Sequence, residues 1–271
     1  MVSGDTELNL GRIRRYQHEL PEWEHISKAW NLLENYSGIP PDEIEPHLRK
    51  VRDQAFAVFN YPCLGRWRFL DLYITTHPAY PELLARTKAG AVLLDAACCV
   101  GQALRQLAFD GAPQENLRGF DLRRDFIELG YDLFRDRDTF RVPFATGDAL
   151  DPADKGLSGL DGTVDIIHAA AFFHLFGWDE QVRLGERLVR FFKEGIENAV
   201  VLGRQVGTPE PGGERGRYLH NEGSMQRLWD EIGERTGTRW KVRAELSEEK
   251  DTLEGGGEVV RSLIRYEVRK A

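Results

Sequence analysis

A chain of 271 residues with net charge −8 is long enough for one large α/β domain and an additional cap. Its Lys and Arg residues are scattered among Asp and Glu rather than gathered into a basic stripe, which argues against a nucleic-acid partner. The three cysteines, Cys63, Cys98 and Cys99, have neither disulfide-framework nor metal-ligand spacing, so a reduced, cytoplasmic setting without a metal is expected. The N-terminal MVSGDTELNLGRIRRYQHEL lacks the apolar stretch of a secretory leader. No apolar run approaches the roughly 20 residues that a membrane helix needs.

Residues 1–88 have helical texture. Trp23, Ile26, Trp30 and Leu33 recur at helical spacing, as do Ile44, Leu48, Val51, Ala55 and Val58. Pro40-Pro41 divides the two segments, with Asp42 as a candidate N-cap. A third element, Arg66 to Thr75, is rich in aromatics, so this region reads as a helical cap or lid.

From residue 89 to 271 the texture changes. Short apolar runs at Ala91–Leu94, Leu117–Phe120, Phe140–Phe144, Val164–Ala169 and Ile196–Leu202 read as strands. Helical patterns at Gln102–Phe109, Asp125–Arg135 and Asp179–Lys193 lie between most of them, which implies a parallel sheet with right-handed crossovers. After a helix at Ser224–Thr236, Trp240–Leu246 and Val259–Val268 read as a terminal antiparallel hairpin linked by Asp251–Gly257. Gly212-Gly213 and Gly255-Gly256-Gly257 read as loop tips. The fold class predicted is α/β: a Rossmann-like, doubly wound, mostly parallel seven-stranded sheet.

The turn Asp95-Ala96-Ala97-Cys98-Cys99-Val100-Gly101 closes the first strand at the sheet edge where doubly wound folds bind nucleotides. An acid stands there in place of the first glycine of a dinucleotide fingerprint, so no pyrophosphate is expected. A carboxylate suits an ammonium or sulfonium ligand, which suggests S-adenosylmethionine as cofactor. Asp95, Ala97, Cys98 and Gly101 are therefore cofactor-binding candidates, although an ordinary strand-to-helix turn has similar residues. Asp121, with Leu122 beside it, ends the second strand at the offset of a ribose-binding acid; capping of the next helix is the competing role. Asp148 and Ala149 follow the third strand and suit an adenine amino group and ring nitrogen. His168 and His174 flank an aromatic loop and are candidate bases, and His168 also a cofactor contact; either is equally a satisfied core histidine. Arg204, at the end of the fifth strand, is a candidate catalytic residue and a clamp for an anionic acceptor, or else a structural ion pair. Phe173, His220 and Trp30 are further acceptor-side candidates, and Arg66 or Arg68 candidates for the methionine carboxylate.

With these residues in view the chain resembles class I S-adenosylmethionine-dependent methyltransferases. More narrowly it is similar to fungal meroterpenoid- and polyketide-pathway enzymes that form methyl esters. The resemblance rests on Tyr61-Pro62-Cys63, Arg66-Trp67-Arg68-Phe69-Leu70, the Asp95 to Gln102 turn, Gly203-Arg204-Gln205-Val206-Gly207 and Arg227-Leu228-Trp229. It implies methyl transfer to a carboxylate of a small molecule, with S-adenosylhomocysteine as product and no metal, nucleic acid or membrane involved. A homodimer through the aromatic N-terminal segment is a further expectation. In that family glycine usually stands where this chain has Ala97, whose methyl would crowd the loop or exclude a positive φ. Two alternatives stay open: methylation of a phenol or enol oxygen, nitrogen or carbon, and a non-catalytic binding protein that keeps the fold.

Overall fold

Strand β1 (Leu93–Ala96) is buried along its whole length because the sheet is covered on both faces. In the computed structural model, which describes residues 19–252 and 258–271, β1 pairs in parallel with β2 (Leu117–Asp121) and β4 (Ile166–His168). Beyond them lie β3 (Phe144–Thr146) and β5 (Val200–Val206), also parallel. A small separate hairpin, β6 (Gly212–Glu214) with β7 (Arg217–Leu219), follows, and then the long pair β8 (Trp240–Thr252) and β9 (Glu258–Lys270). The seven-stranded sheet runs β3-β2-β1-β4-β5-β9-β8, with β9 antiparallel to β5. Strand order reverses between β1 and β4, and at that switch point the carboxyl ends of the strands open a crevice. The register sets Asp95 opposite His168 there, and Asp121 opposite Thr146 two strands away.

The helices are α1 (Trp23–Asn31, continued by a wider turn at Leu32–Tyr36), α2 (Pro41–Val58), α3 (Pro62–Gly65), α4 (Tyr80–Lys88), α5 (Gln102–Phe109), α6 (Arg124–Phe134), α7 (Trp178–Phe191) and α8 (Glu222–Thr236). Leu184, Leu188, Leu228 and Trp229 of α7 and α8 cover one face of the sheet. Leu83 of α4 with Leu104 and Leu107 of α5 cover the other. A third cluster joins α1, α2 and α3 to Phe126, Leu129 and Leu133 of α6, so the cap sits on the helix that follows β2.

Several boundaries differ from the sequence expectation. Helix α4, grouped with the cap by texture, packs into the sheet's own core through Leu83, so that core begins before residue 89. Phe140 and Val142 are buried as expected of a strand, but pairing begins only at Phe144, after Pro143 has removed a donor. The fifth strand starts later and runs on to Val206, which places Arg204 inside it. Gly212 and Gly213 belong to a hairpin rather than a loop tip. In α2 the first helical position is Pro41, which needs no N–H partner, and Asp42 lies in the first turn rather than at the cap. Helix α8 is capped by Asn221, whose side chain accepts from the Ser224 N–H at 2.9 Å. The N-terminal segment before residue 19 and the glycine tip 255–257 lie outside the described residues.

Candidate active site

The turn after β1 takes its shape from three left-handed residues in alternation: Ala97 (φ +55°), Cys99 (φ +51°) and Gly101 (φ +65°). Only glycine adopts this region freely; an L-residue pays about 1–2 kcal/mol. Ala97 thus does not exclude the positive φ, and Cys99 shares the strain, which its residue type did not signal. Backbone bonds hold the turn. Cys98 N–H donates to the Phe120 carbonyl at 2.9 Å, and Gly101 N–H to the Cys98 carbonyl at 2.7 Å. Gly101 itself has no room for a side chain, since a Cβ would lie 2.9 Å from the Arg105 guanidinium.

Asp121 ends β2 and is nearly buried. One carboxylate oxygen accepts the Cys99 N–H and the other the Arg123 N–H, both at 2.9 Å. Burial pushes its carboxyl above the ordinary carboxylate value, against the lowering effect of these two donors. The acid is thereby aimed by the same turn that it braces. After β3, Asp148 Oδ1 accepts the Leu150 N–H at 2.8 Å. Its own N–H donates to Asp154 at 2.7 Å, and Gly156 donates to the other oxygen of Asp154 at 2.6 Å. Asp154, overlooked in the sequence, therefore shapes this turn, and those donors hold its carboxyl below the usual range. Three polar atoms of these turns are buried without a partner: Gln102 Oε1, Arg123 Nε and Thr146 Oγ1. Unpaired buried polar atoms beside a strained loop and an oriented acid fit a polar nucleoside ligand.

At the switch point His168 Nδ1 lies 2.7 Å from Asp95 Oδ1, and both residues are more than nine-tenths buried. One oxygen of Asp95, the acid expected to suit an ammonium or sulfonium ligand, is thus engaged by the imidazole. His168 forms part of the wall of a cavity of about 370 Å³ with Tyr73, His77, Arg204, Glu249 and Arg265. Arg204 on β5 and Arg265 on β9 are direct cross-strand partners. Like charges in that position repel. Each is matched by a carboxylate from β8, Arg204 by Glu249 and Arg265 by Glu245. The Tyr73 ring lies beneath the Arg204 guanidinium at 4.1 Å. Arg68, one of the two candidates for the methionine carboxylate, joins this network through Asp71 at 3.2 Å and Glu249 at 3.6 Å. His77 Nδ1 accepts the Ala79 N–H at 3.1 Å, and burial lowers its pKa.

Comparison with known proteins agrees with this geometry. A family model described as the meroterpenoid methyltransferase N-terminal domain matches residues 15–70, and one described as a methyltransferase domain matches residues 93–195. The O-methyltransferase phiE of Fungal sp. strain ATCC 74256 is 39% identical over 87% of this chain and 80% of its own length. The Asnovolin E/Chermesin D methyltransferase nvfJ of Aspergillus novofumigatus is 40% identical over 83% of this chain and 82% of its own. The chain belongs to this family of S-adenosylmethionine-dependent O-methyltransferases of fungal secondary metabolism. A solved structure concerning the conversion of a disulfide bond into a thioacetal group during echinomycin biosynthesis shares the fold, with a TM-score of 0.50 and 18% identity over 71% of this chain and 81% of that one.

Within this methyltransferase the expected site residues divide into two sets. Asp95, Ala97, Cys98, Gly101, Asp121, Asp148 and Ala149 lie along the carboxyl edge of β1 to β3, and Leu122 is exposed beside Asp121. His168 and Arg204 meet on the cavity wall. Four others are placed elsewhere. His174 is not on that wall; its Nδ1 is buried without a partner, and burial, with Arg217 nearby, brings its pKa down to about 4. His220 is fully buried, with one ring nitrogen 2.9 Å from Ser224 Oγ and the other 2.9 Å from Gln181 Oε1, so neither is left for a substrate. Phe173 is core, packed against Trp229 and Tyr266. Trp30 packs in the cap cluster, edge-on to Trp23. Among the described residues there is no cluster of metal-ligating side chains, and no helix is long and apolar enough to cross a membrane.

Proposed function

We propose that this methyltransferase forms the methyl ester of a carboxylate on a polyketide- or terpenoid-derived small molecule. The observation that carries the reading is the paired Arg204 and Arg265 on the cavity wall, already balanced by side-chain carboxylates. A site that holds Glu249 on Arg204 suits an incoming carboxylate in its place. The relative nvfJ is named as the methyltransferase of Asnovolin E/Chermesin D.

S-adenosylmethionine, when bound, supplies a sulfonium methyl group that needs no further activation. The residues that would hold it are Asp121 on the ribose hydroxyls, Asp148 and Ala149 at the adenine, and Ala97, Cys98 and Gly101 beneath the methionine. The acceptor carboxylate has a pKa near 4 and is ionised at neutral pH, so no base is required. What the chain contributes is orientation: Arg204 fixes the carboxylate, so that an anion faces a cation at close range. The cap, up to about residue 72, acts in this reading as the lid.

A second reading has one observation in its favour. The Asp95–His168 pair leaves the other imidazole nitrogen of His168 on a ring that lines the cavity, the arrangement of an oriented base suited to a phenol or enol acceptor. Radiolabelled S-adenosylmethionine with a panel of polyketide- and terpenoid-derived acids and their decarboxylated phenols separates the two. An ester releases its label as methanol in mild alkali. Alkali-stable label, formed on the phenols as readily as on the acids, would sink the carboxylate reading.

A further inference from the structure

Arg105 of α5 is fully buried and takes no part in the cavity. Its guanidinium grips Asp136 through two parallel bonds, Nε to Oδ2 at 2.7 Å and Nη2 to Oδ1 at 3.0 Å. The remaining arm, Nη1, donates to the Val100 carbonyl at 2.9 Å and more weakly to the Gly101 carbonyl at 3.4 Å. The rings of Phe134 and Phe140 lie 4.7 and 4.4 Å from the guanidinium carbon and shut out water. Helix α6 closes on the same point, since a Cβ on Gly130 would lie 2.3 Å from the Val100 oxygen.

Val100 stands between the two left-handed residues Cys99 and Gly101. A turn that holds Ala97 and Cys99 in that region relaxes unless outside contacts determine it. Arg105 supplies those contacts at the carbonyls, as Asp121 does at the Cys99 N–H. Asp136 Oδ2, the oxygen that accepts Arg105 Nε, also accepts the hydroxyl of Tyr36, at the end of the first cap helix, at 2.8 Å. Burial and the neighbouring carboxylate push the Tyr36 phenol up, so it stays a donor throughout the physiological range. A continuous hydrogen-bonded path therefore runs from the cap through Tyr36, Asp136 and Arg105 to the backbone of the donor loop.

We propose that Tyr36 is a positioning residue for the donor loop: through Asp136 and Arg105, seating of the cap fixes the left-handed turn that receives the adenosylmethionine. The inference rests on the cofactor assignment of that turn. Linkage makes the effect mutual, so a nucleoside that favours the ordered turn seats the cap by the same factor. In a turn built of three glycines such bracing would matter less; here Ala97 and Cys99 give it work to do.

The test is calorimetric titration of the full chain with S-adenosylhomocysteine, alongside hydrogen exchange over residues 32–39. Tyr36→Phe removes one hydroxyl and keeps the packing. The control is His47→Leu, because His47 Nε2 bonds the Leu133 carbonyl at 2.9 Å and ties α2 to α6 without touching Asp136. Tyr36→Phe is expected to weaken binding about fivefold, the effect of one hydrogen bond of typical net strength. His47→Leu is expected to stay within about twofold of the parent. Ligand protection of residues 32–39 should be present in the parent and His47→Leu and lost in Tyr36→Phe. Equal weakening in both variants would reduce the contact to general cap attachment and overturn the proposal, as would unchanged affinity in Tyr36→Phe. If the parent itself did not bind S-adenosylhomocysteine, the cofactor assignment would fall, and this inference with it.

Discussion

The two halves of the proposed site are built on opposite plans. On the donor side, β1 to β3, the working groups are backbone N–H donors and short turns, and two of the acids accept an N–H from two residues further on, Asp121 from Arg123 and Asp148 from Leu150. On the acceptor side the groups are side chains from distant parts of the chain. Tyr73 comes from the segment between the cap and α4, His168 from β4, Arg204 from β5, Glu249 from β8 and Arg265 from β9, and the sheet order brings the last four together. A donor site made of local turns suits a cofactor of fixed chemistry. An acceptor site made of long-range side chains is free to change shape around a varied substrate.

If that division holds, substitutions on one side should leave the other untouched. Asp121→Ala should have the largest effect, weakening S-adenosylhomocysteine roughly 100-fold or more by calorimetry, since a buried carboxylate loses two hydroxyl partners at about 1.5–3 kcal/mol each. A change of less than about threefold would remove the ribose assignment. Arg204→Met should lower kcat/KM for a carboxylate acceptor some 10- to 100-fold while S-adenosylhomocysteine affinity stays within about twofold. Loss of both together would show that the sides are not separable.

Protonation offers a third, smaller lever. Burial holds His174 and His220 at pKa values of about 4. In the unfolded chain the imidazole titrates near about 6.5, so the unfolded state binds protons first. Stability is complete above that pH and drains as the pH falls toward about 4, by up to about 1.4 kcal/mol per pH unit for each fully coupled histidine. Thermal unfolding from pH 7 to 4.5 should show this decline, and His220→Gln should flatten part of it. The smallest effect is expected from Glu249→Gln. Freeing Arg204 from a partly exposed carboxylate should lower the acceptor KM about fivefold or less, because such pairs contribute about 1 kcal/mol at most.

The same division explains what could be read in the sequence. The positions of Asp95, Asp121 and Asp148 were legible because each stands at or just past the end of a strand, and a parallel sheet turns that order into one edge. Cys99 was not, since cysteine gives no sign of a left-handed backbone; only the alternation with Ala97 and Gly101 reveals it. Of the two histidines near the aromatic loop, sequence gave no preference. Register separates them: His168 stands opposite Asp95, while His174 lies in the turn beyond β4 with Arg217 of β7 for a neighbour. His220 and Phe173 looked like rim residues by order along the chain, but helix packing takes both into the core. Glu249 was invisible, because the hairpin runs past its expected end at Leu246, and Glu249 lies three residues further along β8.

The proposed function requires the donor turns and the cavity of Arg204, which are linked by the Asp95–His168 contact, to form one continuous site. A crystal structure of the S-adenosylhomocysteine complex tests it most directly. The ribose hydroxyls should lie on Asp121, with the sulfur opening into the cavity beside His168 and Arg204. A sulfur walled off from that cavity, or a ribose held away from Asp121, would contradict it.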